Sequence, residues 1–318
     1  MKLYVTSVMY SFDQLHQLYP NKTLIQYSDQ ILGRFIGKII SLIYLFYLIK
    51  SIGLISRQYG EFIAGVSLLH TPRVMIIGSM IFVSAIAVRL GIEVIARAAQ
   101  IFVPLIVVGW IVMIVLLIPD MEINSMFPMM ENGITPIIKG SIHFDWFLHF
   151  SLLTFLLPMI SDQKNTVKLG FISVIAIMLT FTAIDLTTLF ILGEITDSQT
   201  YPVMSAAQYI EVGDFLEHLE AIIMAIWVAG AFIKISFYYY IFVLGTIRWL
   251  ELSDYRPIVF PLNILFVSFS FWLGPTMVHI SQSLNTSNLL FNYVARLGLP
   301  LLLLMLAYIR KSLKQYKQ

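Results

Sequence analysis

A succession of long apolar segments is the feature that most restricts how this sequence can fold. Eight such segments each end near a charge, a proline or a glycine, and residues 1–18 form a partial segment. The eight lie at about 35–56, 74–88, 98–118, 141–160, 168–193, 217–245, 257–273 and 288–309. A helix that crosses the hydrocarbon core needs about 20 apolar residues. Only 12% of the residues are charged, and the mean hydropathy is +0.84. Because soluble domains carry about 25% charged residues, we predict an all-α polytopic membrane protein with one transmembrane domain over residues 1–318.

The basic residues predict the orientation of these spans. Thirteen of the twenty Lys and Arg residues fall in alternate loops and in the C-terminal tail, whereas the opposite loops carry mostly acids. Loops rich in Lys and Arg remain on the cytoplasmic side of a membrane. The C-terminus is therefore predicted to be cytoplasmic.

Composition and motifs argue against several functions. The net charge is only +2, which suggests no nucleic-acid partner, and there is no cysteine to act as a nucleophile or a metal ligand. The sequence has no phosphate-binding glycine-rich loop, no H-E-x-x-H motif and no G-x-S-x-G motif. We therefore predict that the chain is not an enzyme and has no cofactor.

The segment at 135–164 combines an apolar run with polar groups that lipid does not accept. It contains Gly140, His143, Asp145 and His149. An aspartate near the centre of a spanning helix costs about 2.5–3.5 kcal/mol, so Asp145 should face protein, water or a ligand. The three ionisable residues lie at i, i+2 and i+6, so one helix cannot direct all of them to one metal ion. We predict a ligand site at a discontinuous helix; the alternative is the polar end of an ordinary span.

Further ionisable residues lie inside other predicted spans. Asp185 and Arg296 both lie about 12 Å from the predicted outer ends of their helices, so they are expected to form a pair. Glu217 and Glu220 lie at the outer mouth of the 217–245 span. An acidic vestibule favours a cationic or zwitterionic ligand, such as the ammonium end of an amino acid. In the alternative interpretation, these acids are neutral or only hold helices together.

Lys234 lies about 20 Å or more along the same helix, too deep for its side chain to reach the surface. It should face a cavity or a buried acceptor, and we hypothesise that its ammonium replaces a bound sodium ion. Tyr44 and Tyr47 either line a cavity or pack in the core, and Trp227 is a further mid-span site candidate. Small residues at 33, 37, 225 and 229 favour close helix packing, and residues 205–210 favour a short interfacial helix.

Several stretches resemble one known family. They are LYPNKTLIQYSDQILGRFIGK, HTPRVM, GIEVIARAAQIFVP and SAAQYIEVGDFLEHLEAIIMAIWVAGAFIKISFYYY, in that order along the chain. They are similar to the spore germination permease family, the B subunits of GerA-type nutrient germinant receptors. That family belongs to the amino acid–polyamine–cation (APC) transporter superfamily. The resemblance implies a LeuT-like bundle of ten helices in two inverted repeats, with helices one and six broken around the ligand.

The resemblance also assigns positions in that fold. Residues 140–146, which include Gly140, Ser141, His143, Asp145 and Trp146, would correspond to the break in helix six. Tyr44 and Tyr47 would lie on helix three, and residues 227–234 on helix eight. By this pattern the chain starts part-way into the second helix, so the bundle would lack the first transmembrane helix.

The resemblance implies a small-molecule germinant and defined partners. The chain would be a nutrient-sensing subunit in the inner membrane of a bacterial spore, beside a multipass A-type subunit and a C-type lipoprotein. The nutrient would be an amino acid or another small molecule. Two alternatives remain open. One is a proton-coupled amino acid transporter that uses Asp145, Asp185 or the glutamates, and the other is a degenerate scaffold subunit.

Overall fold

The structure is a computed structural model of the 318-residue chain. It describes Gln14, residues 18–19, 22–128, 133–143, His149, Leu152, residues 155–156, Met159, and residues 166–209, 220–274, 276 and 287–315. These residues hold no β-strand, which confirms the predicted all-α class.

The described residues form a series of α-helices in chain order. Three 3₁₀ turns and one π-helical turn accompany them, and the π turn, Val294–Gly298, joins the last two helices. The helices are α1 (Leu24–Leu32), α2 (Arg34–Val66), α3 (Arg73–Leu90), α4 (Ile92–Leu117), α5 (Thr135–His143), α6 (Thr166–Leu192), α7 (Pro202–Ala207), α8 (Glu220–Leu250), α9 (Arg256–Trp272), α10 (Ser287–Tyr293) and α11 (Leu299–Gln315).

Six apolar helices in the described residues are long enough to cross a membrane. They begin near residues 34, 73, 92, 168, 221 and 290, and the last of them runs through the π turn. α9 is apolar but shorter, with 17 residues. The predicted span 141–160 and the partial segment 1–18 lie mostly outside the described residues.

α2 is longer than its predicted span of 35–56. It has 33 residues and is therefore about 50 Å long. The apolar pattern is interrupted at Arg57, but Arg57 forms an ion pair with Glu61, one turn later on the same helix. Because each charge has its counter-charge, the helix continues to Val66 instead of ending at the first polar residue.

The short helix predicted over residues 205–210 begins earlier. α7 starts at Pro202, whose fixed φ suits the first turn of a helix, and ends at Ala207. Ile210 lies outside the described residues.

A sharp turn at Gly33 connects α1 to α2. Gly33 has a φ of +86°, a conformation that residues with a side chain rarely adopt. The chain folds back so closely that a Cβ atom at Gly37 would overlap the backbone of Asp29. From the far end of the bundle's last helix, Arg310 donates hydrogen bonds of 2.5 and 2.8 Å to the carbonyls of Gln30 and Ile31. These contacts fix the direction in which α2 leaves the turn.

The hydrophobic core lies around α2. This helix packs against α1, α3, α8 and α9, and many of its side chains are fully buried, among them Tyr44, Tyr47, Leu48 and Ile52. α4 and α6 lie at the periphery, where most of their apolar side chains are exposed. Apolar side chains at the surface of a spanning helix are favourable in lipid, so α4 and α6 form the lipid-facing side.

We predict that Gly37→Val destabilises the protein, whereas Gly78→Val does not. The valine at 37 would overlap Asp29, and such overpacking costs about 1–3 kcal/mol. A Cβ at Gly78 on α3 meets no atom within 4 Å. Thermal unfolding of both purified variants in detergent measures the difference. Equal midpoints would show that the turn at Gly33 does not require the close contact.

Candidate functional site

A buried arginine lies where several helices meet. Arg296 belongs to the π turn between α10 and α11 and is only 4% exposed. Its Nε donates to the hydroxyl of Tyr47 on α2, and its Nη2 donates to the hydroxyl of Tyr238 on α8 at 3.4 Å. The imidazole of His149 lies 3.2 Å from Nη1 and 3.3 Å from Nη2. One guanidinium therefore contacts side chains from three other parts of the chain.

Aromatic rings surround this guanidinium, and we call the group of Arg296, Tyr47, Tyr238 and His149 the arginine cluster. The Arg296 guanidinium carbon lies 5.3 Å from the centre of the Tyr47 ring. Tyr44 packs against Tyr47 with ring centres 5.5 Å apart, and His149 lies 5.9 Å from Tyr238. A cation on an aromatic face is stabilised more when water is excluded. The rings thus partly compensate for the burial of the charge.

One face of α8 carries two of the predicted site residues, Trp227 and Lys234, together with Tyr238. Trp227, Lys234 and Tyr238 lie at i, i+7 and i+11, so they share this face. Trp227 stacks on Phe62 with ring centres 4.7 Å apart, and Tyr238 approaches Tyr47 through Arg296. Because both contacts are with α2, the half-buried Lys234 lies between them along the interface of α2 and α8. It is one helical turn from the arginine cluster.

The structure brings together some of the predicted site residues. Tyr44, Tyr47 and Arg296 come together, and the half-buried Trp227 packs into the core by its stacking on Phe62. Tyr238, which the sequence analysis did not single out, joins them. Its position four residues after Lys234, on the same helix face, was the available signal.

Residues at the predicted break are only partly described. α5 continues as a helix through Gly140 and Ser141 to His143, so the described part of the predicted break is helical. Gly140 and Ser141 are exposed, and the Ser141 hydroxyl donates to the Ile138 carbonyl at 2.7 Å. Asp145 and Trp146 lie outside the described residues, as do the side chains of His143 and Glu220, and Glu217.

The predicted pair of Asp185 and Arg296 is wrong. The ion pairs among the described residues do not include it: Asp185 is exposed on α6, and Arg296 is buried against Tyr47 and Tyr238. The two residues have similar predicted depths, but depth along a helix does not specify which way a side chain points. The exposed position of Asp185 leaves it on the periphery of the bundle.

A second group of charges lies near the far end of α2. Glu61 forms two ion pairs: its Oε1 lies 2.8 Å from Nη2 of Arg57 on α2, and its Oε2 lies 2.8 Å from Nε of Arg73 at the start of α3. The Arg57 guanidinium carbon also lies 4.8 Å from the centre of the Phe271 ring of α9. Burial and the nearby Glu61 charge raise the pKa of the Tyr201 hydroxyl, which lies beside this group. The group of Arg57, Glu61 and Arg73 was not predicted from the sequence, because the apolar span was predicted to end before Arg57.

The opposite end of α2 carries another set of polar contacts. Glu251, which follows α8, forms ion pairs with Arg34 at 2.8 Å and Lys38 at 3.2 Å. The indole of Trp249 donates to the Lys38 carbonyl at 3.0 Å. Hydrogen bonds from Lys38 and Arg34 lower the pKa of Glu251, and burial raises the pKa of Asp29 nearby. These contacts hold the end of α8 against the start of α2.

An apolar crevice opens between α3, α4 and α8. Its cavity of about 720 Å³ shares lining residues, including Phe102, Ala225 and Ala229, with a neighbouring cavity of about 440 Å³. The small-residue pair at 225 and 229 therefore does lie at a helix interface, but it leaves space there. Tyr59 and Ser79 are the polar side chains in the larger lining.

The fold and the arginine cluster define a polytopic helical membrane protein with a cation buried among its spans. The sequence profile of the family described as "Spore germination protein" matches residues 2–277. The chain belongs to this spore germination permease family.

Three relatives from Bacillus subtilis (strain 168) are similar to most of the chain. Spore germination protein KB is 26% identical over 318 residues, which cover 97% of this chain and 84% of the relative. Spore germination protein YndE is 24% identical, with coverage of 94% and 82%. Spore germination protein A2 is also 24% identical, with coverage of 81% and 70%. The similarity supports a role related to spore germination.

We predict that Glu61→Gln destabilises the protein far more than Arg73→Gln. Glu61→Gln removes the carboxylate that pairs with the buried Arg57, and loss of one partner of a buried pair costs about 3–5 kcal/mol. The Arg73 side chain is 53% exposed, so its pair contributes about 0–1 kcal/mol. Chemical unfolding of both variants in detergent compares them. Equal losses would contradict a buried pair at Arg57.

We predict that Glu251 makes stability depend on acid pH. Its pKa is lowered from the ordinary value of 4.5, so its contribution to stability is present above that value and is lost as the pH falls through the lower folded pKa. Thermal midpoints between about pH 6 and about pH 3 should therefore fall less in Glu251→Gln than in the wild type. Glu93→Gln, which breaks a pair within α4, is the control. An unchanged pH slope in Glu251→Gln would contradict the prediction.

Proposed function

We propose that the chain is the nutrient-sensing subunit of a spore germination receptor. The observation that carries this proposal is the family match over residues 2–277, together with relatives that cover nearly the whole chain. The subunit works in the inner membrane of the spore, with its C-terminus in the cytoplasm. It acts beside an A-type multipass subunit and a C-type lipoprotein.

The sensing mechanism is a shift between two conformations of the bundle. A ligand changes such an equilibrium only by its difference in affinity for the two states. The contacts able to differ between the two conformations are the polar contacts that connect α2 to other helices. They are the arginine cluster in the middle of α2 and the ion pairs of Glu251 at one end. Binding of an amino acid or another small nutrient near the arginine cluster would alter how α2, α8 and α10 pack. The partner subunits respond to that change in helix packing.

Deletion of the gene in its source organism tests the sensing role. Spores of the deletion strain should lose the response to at least one single nutrient, measured as the fall in optical density when spores rehydrate. They should still germinate when lysozyme degrades the cortex of permeabilised spores. Wild-type complementation should restore the lost response.

An unchanged response to every nutrient in the deletion strain would contradict the proposal. Uptake of labelled amino acids by proteoliposomes that contain only this chain, collapsed by an uncoupler, would instead support a proton-coupled transporter.

A further inference from the structure

We propose that the apolar crevice between α3, α4 and α8 holds one acyl chain of an anionic phospholipid from the outer leaflet. The chain lies in the crevice, and the phosphate of the same lipid lies beside Arg73 at the start of α3. The lipid is a stable part of the helix packing, in contrast to the lipids that exchange freely around the protein. This inference goes beyond the proposed sensing function and does not depend on it.

The crevice opens toward the lipid-facing side of the bundle. Across its two cavities, the mouth is formed by Val83 of α3, Leu105 of α4 and Ile222 of α8, which are 50%, 60% and 43% exposed. Leu105 belongs to the exposed apolar surface of α4, so the crevice is continuous with the surface that faces the bilayer. Met80 and Ile226 form the deeper wall and are only 7% and 8% exposed. Lipid can therefore enter sideways from the bilayer.

The walls of the crevice suit a hydrocarbon chain. Of the residues that line the larger cavity, Tyr59 and Ser79 carry the polar side chains, and the Ser79 hydroxyl already donates to the Ile76 carbonyl at 3.0 Å. Met80 and Met224 have flexible side chains, which adapt to the shape of a mobile guest. A strongly polar ligand would lose its hydration there and gain few hydrogen bonds in return.

The length of the crevice corresponds to one leaflet of a bilayer. Its lining on α8 extends from Ala221 to Phe232, which is about 17 Å along the helix axis. Half of the hydrocarbon core of a bilayer is about 15 Å thick. In the predicted orientation Ala221 lies near the extracytoplasmic end of α8, so the crevice runs from the outer side toward the middle of the membrane. An acyl chain of the outer leaflet has the length to fill it.

The crevice is too narrow to admit a helix. A cavity of about 720 Å³ with that length has a mean cross-section of about 42 Å². An α-helix with its side chains is about 10–12 Å across, which corresponds to about 80–110 Å². A helix of another subunit could cover the mouth but could not enter, whereas a single acyl chain is thin enough to do so.

Arg73 supplies a positive charge at the outer end of the crevice. It lies seven residues before Met80, on the same face of α3 and about 11 Å away along the helix axis. Its side chain is 53% exposed, and its group with Arg57 and Glu61 contains two cations and one anion. The ion pair with Glu61 uses Nε, so within the described part of the chain the two terminal nitrogens of Arg73 can contact a phosphate.

Photochemical labelling by a lipid probe tests the proposal. The purified full chain is placed in phosphatidylcholine nanodiscs that contain a small fraction of phosphatidylglycerol with a diazirine in the middle of one acyl chain. After illumination, mass spectrometry locates the labelled residues. We expect label on the buried Met80 and Ile226 at a yield at least equal to that on the exposed side chains of α6. Label on the exposed residues of α4 and α6 but not on Met80 or Ile226 would show surrounding lipid only and would overturn the proposal.

Matched variants connect the label to the crevice. Ala225→Phe places a ring in the larger cavity and should lower the label on Met80 about tenfold or more, because ring and chain compete for the same space. Ala176→Phe, at an exposed position on α6, is the control and should leave the label on Met80 unchanged. Tyr59→Phe removes only a hydroxyl, which an acyl chain does not need, so the label should persist. Its loss in Tyr59→Phe would show that the site recognises a polar group, and the proposal would be wrong.

Competition between headgroups tests the contact at Arg73. When the nanodiscs are made of unlabelled phosphatidylglycerol instead of phosphatidylcholine with the same chains, the label on Met80 should fall about fivefold, the value of one basic residue near an anionic lipid. Arg73→Gln should remove this difference between the two lipids. Arg97→Gln, which changes an exposed arginine on α4, should retain it. Equal label in both lipids with the wild-type chain would overturn the assignment of an anionic phospholipid.

A helix that covers the mouth would give a different result. The sequence has no cysteine, so Ala225→Cys introduces a single thiol at the crevice. We expect this thiol to form no disulfide with a second copy when membranes that contain the variant are oxidised. Efficient formation of a disulfide-linked dimer would show that a second copy occupies the mouth and would overturn the lipid site.

Discussion

The burial of the Arg296 charge is the constraint on which the arrangement of helices depends. In a bilayer each helix satisfies its own backbone, and apolar side chains are as favourable in lipid as against another helix. Apolar packing alone therefore does little to select the neighbours of a helix. A guanidinium cannot be left in hydrocarbon, where it costs about 2.5–3.5 kcal/mol or more. Its bonds to Tyr47 and Tyr238 bring α2 and α8 to the last span.

α2 carries polar contacts with other helices at both of its ends as well as at the arginine cluster. At one end Glu61 joins α2 to α3 through Arg73, and at the other Glu251 joins it to the end of α8. Between these ends, Trp227 and Tyr238 bring α8 alongside the same helix. α2 is thus the element against which the positions of the other helices are set. A shift of α2 near the arginine cluster can therefore alter the polar contacts at both of its ends without involving the lipid-facing helices α4 and α6.

The sequence predicted the class and most spans because hydropathy is a property of segments. Its errors concern single side chains. The span at 35–56 was drawn too short, since hydropathy treats Arg57 as a terminating charge and cannot show that Glu61 pairs with it. Arg296 was singled out as a charge inside a predicted span, and the structure shows it buried in the last apolar helix, but its predicted partner was wrong. The sequence gives the depth of a residue along its helix, whereas the direction of its side chain depends on how helices pack.

The sequence predicted only some of the residues of the candidate site. Tyr44 and Tyr47 were singled out with both a cavity and a core interpretation open, and the structure shows them buried beside a charge. Tyr238 was missed because it lies within a run of three tyrosines whose individual roles depend on helix rotation. The expected acidic vestibule depends on residues outside the described part of the chain or on side chains not described there. Within that part, the buried charges at α2 and the last span are mainly basic.

The π turn changes the direction in which side chains point around the axis of the last span. Val294 and Leu302 are both exposed, and they are eight residues apart. In an uninterrupted α-helix, eight residues would rotate the second side chain by about 80° relative to the first. The wider turn absorbs that rotation and keeps one lipid-facing stripe along the whole span. Loss of a single residue there would leave Val294 and Leu302 seven residues apart, which in an ordinary α-helix is within about 20° of two full turns. The lipid-facing stripe and the contacts of Arg310 with the carbonyls of α1 should therefore survive that deletion.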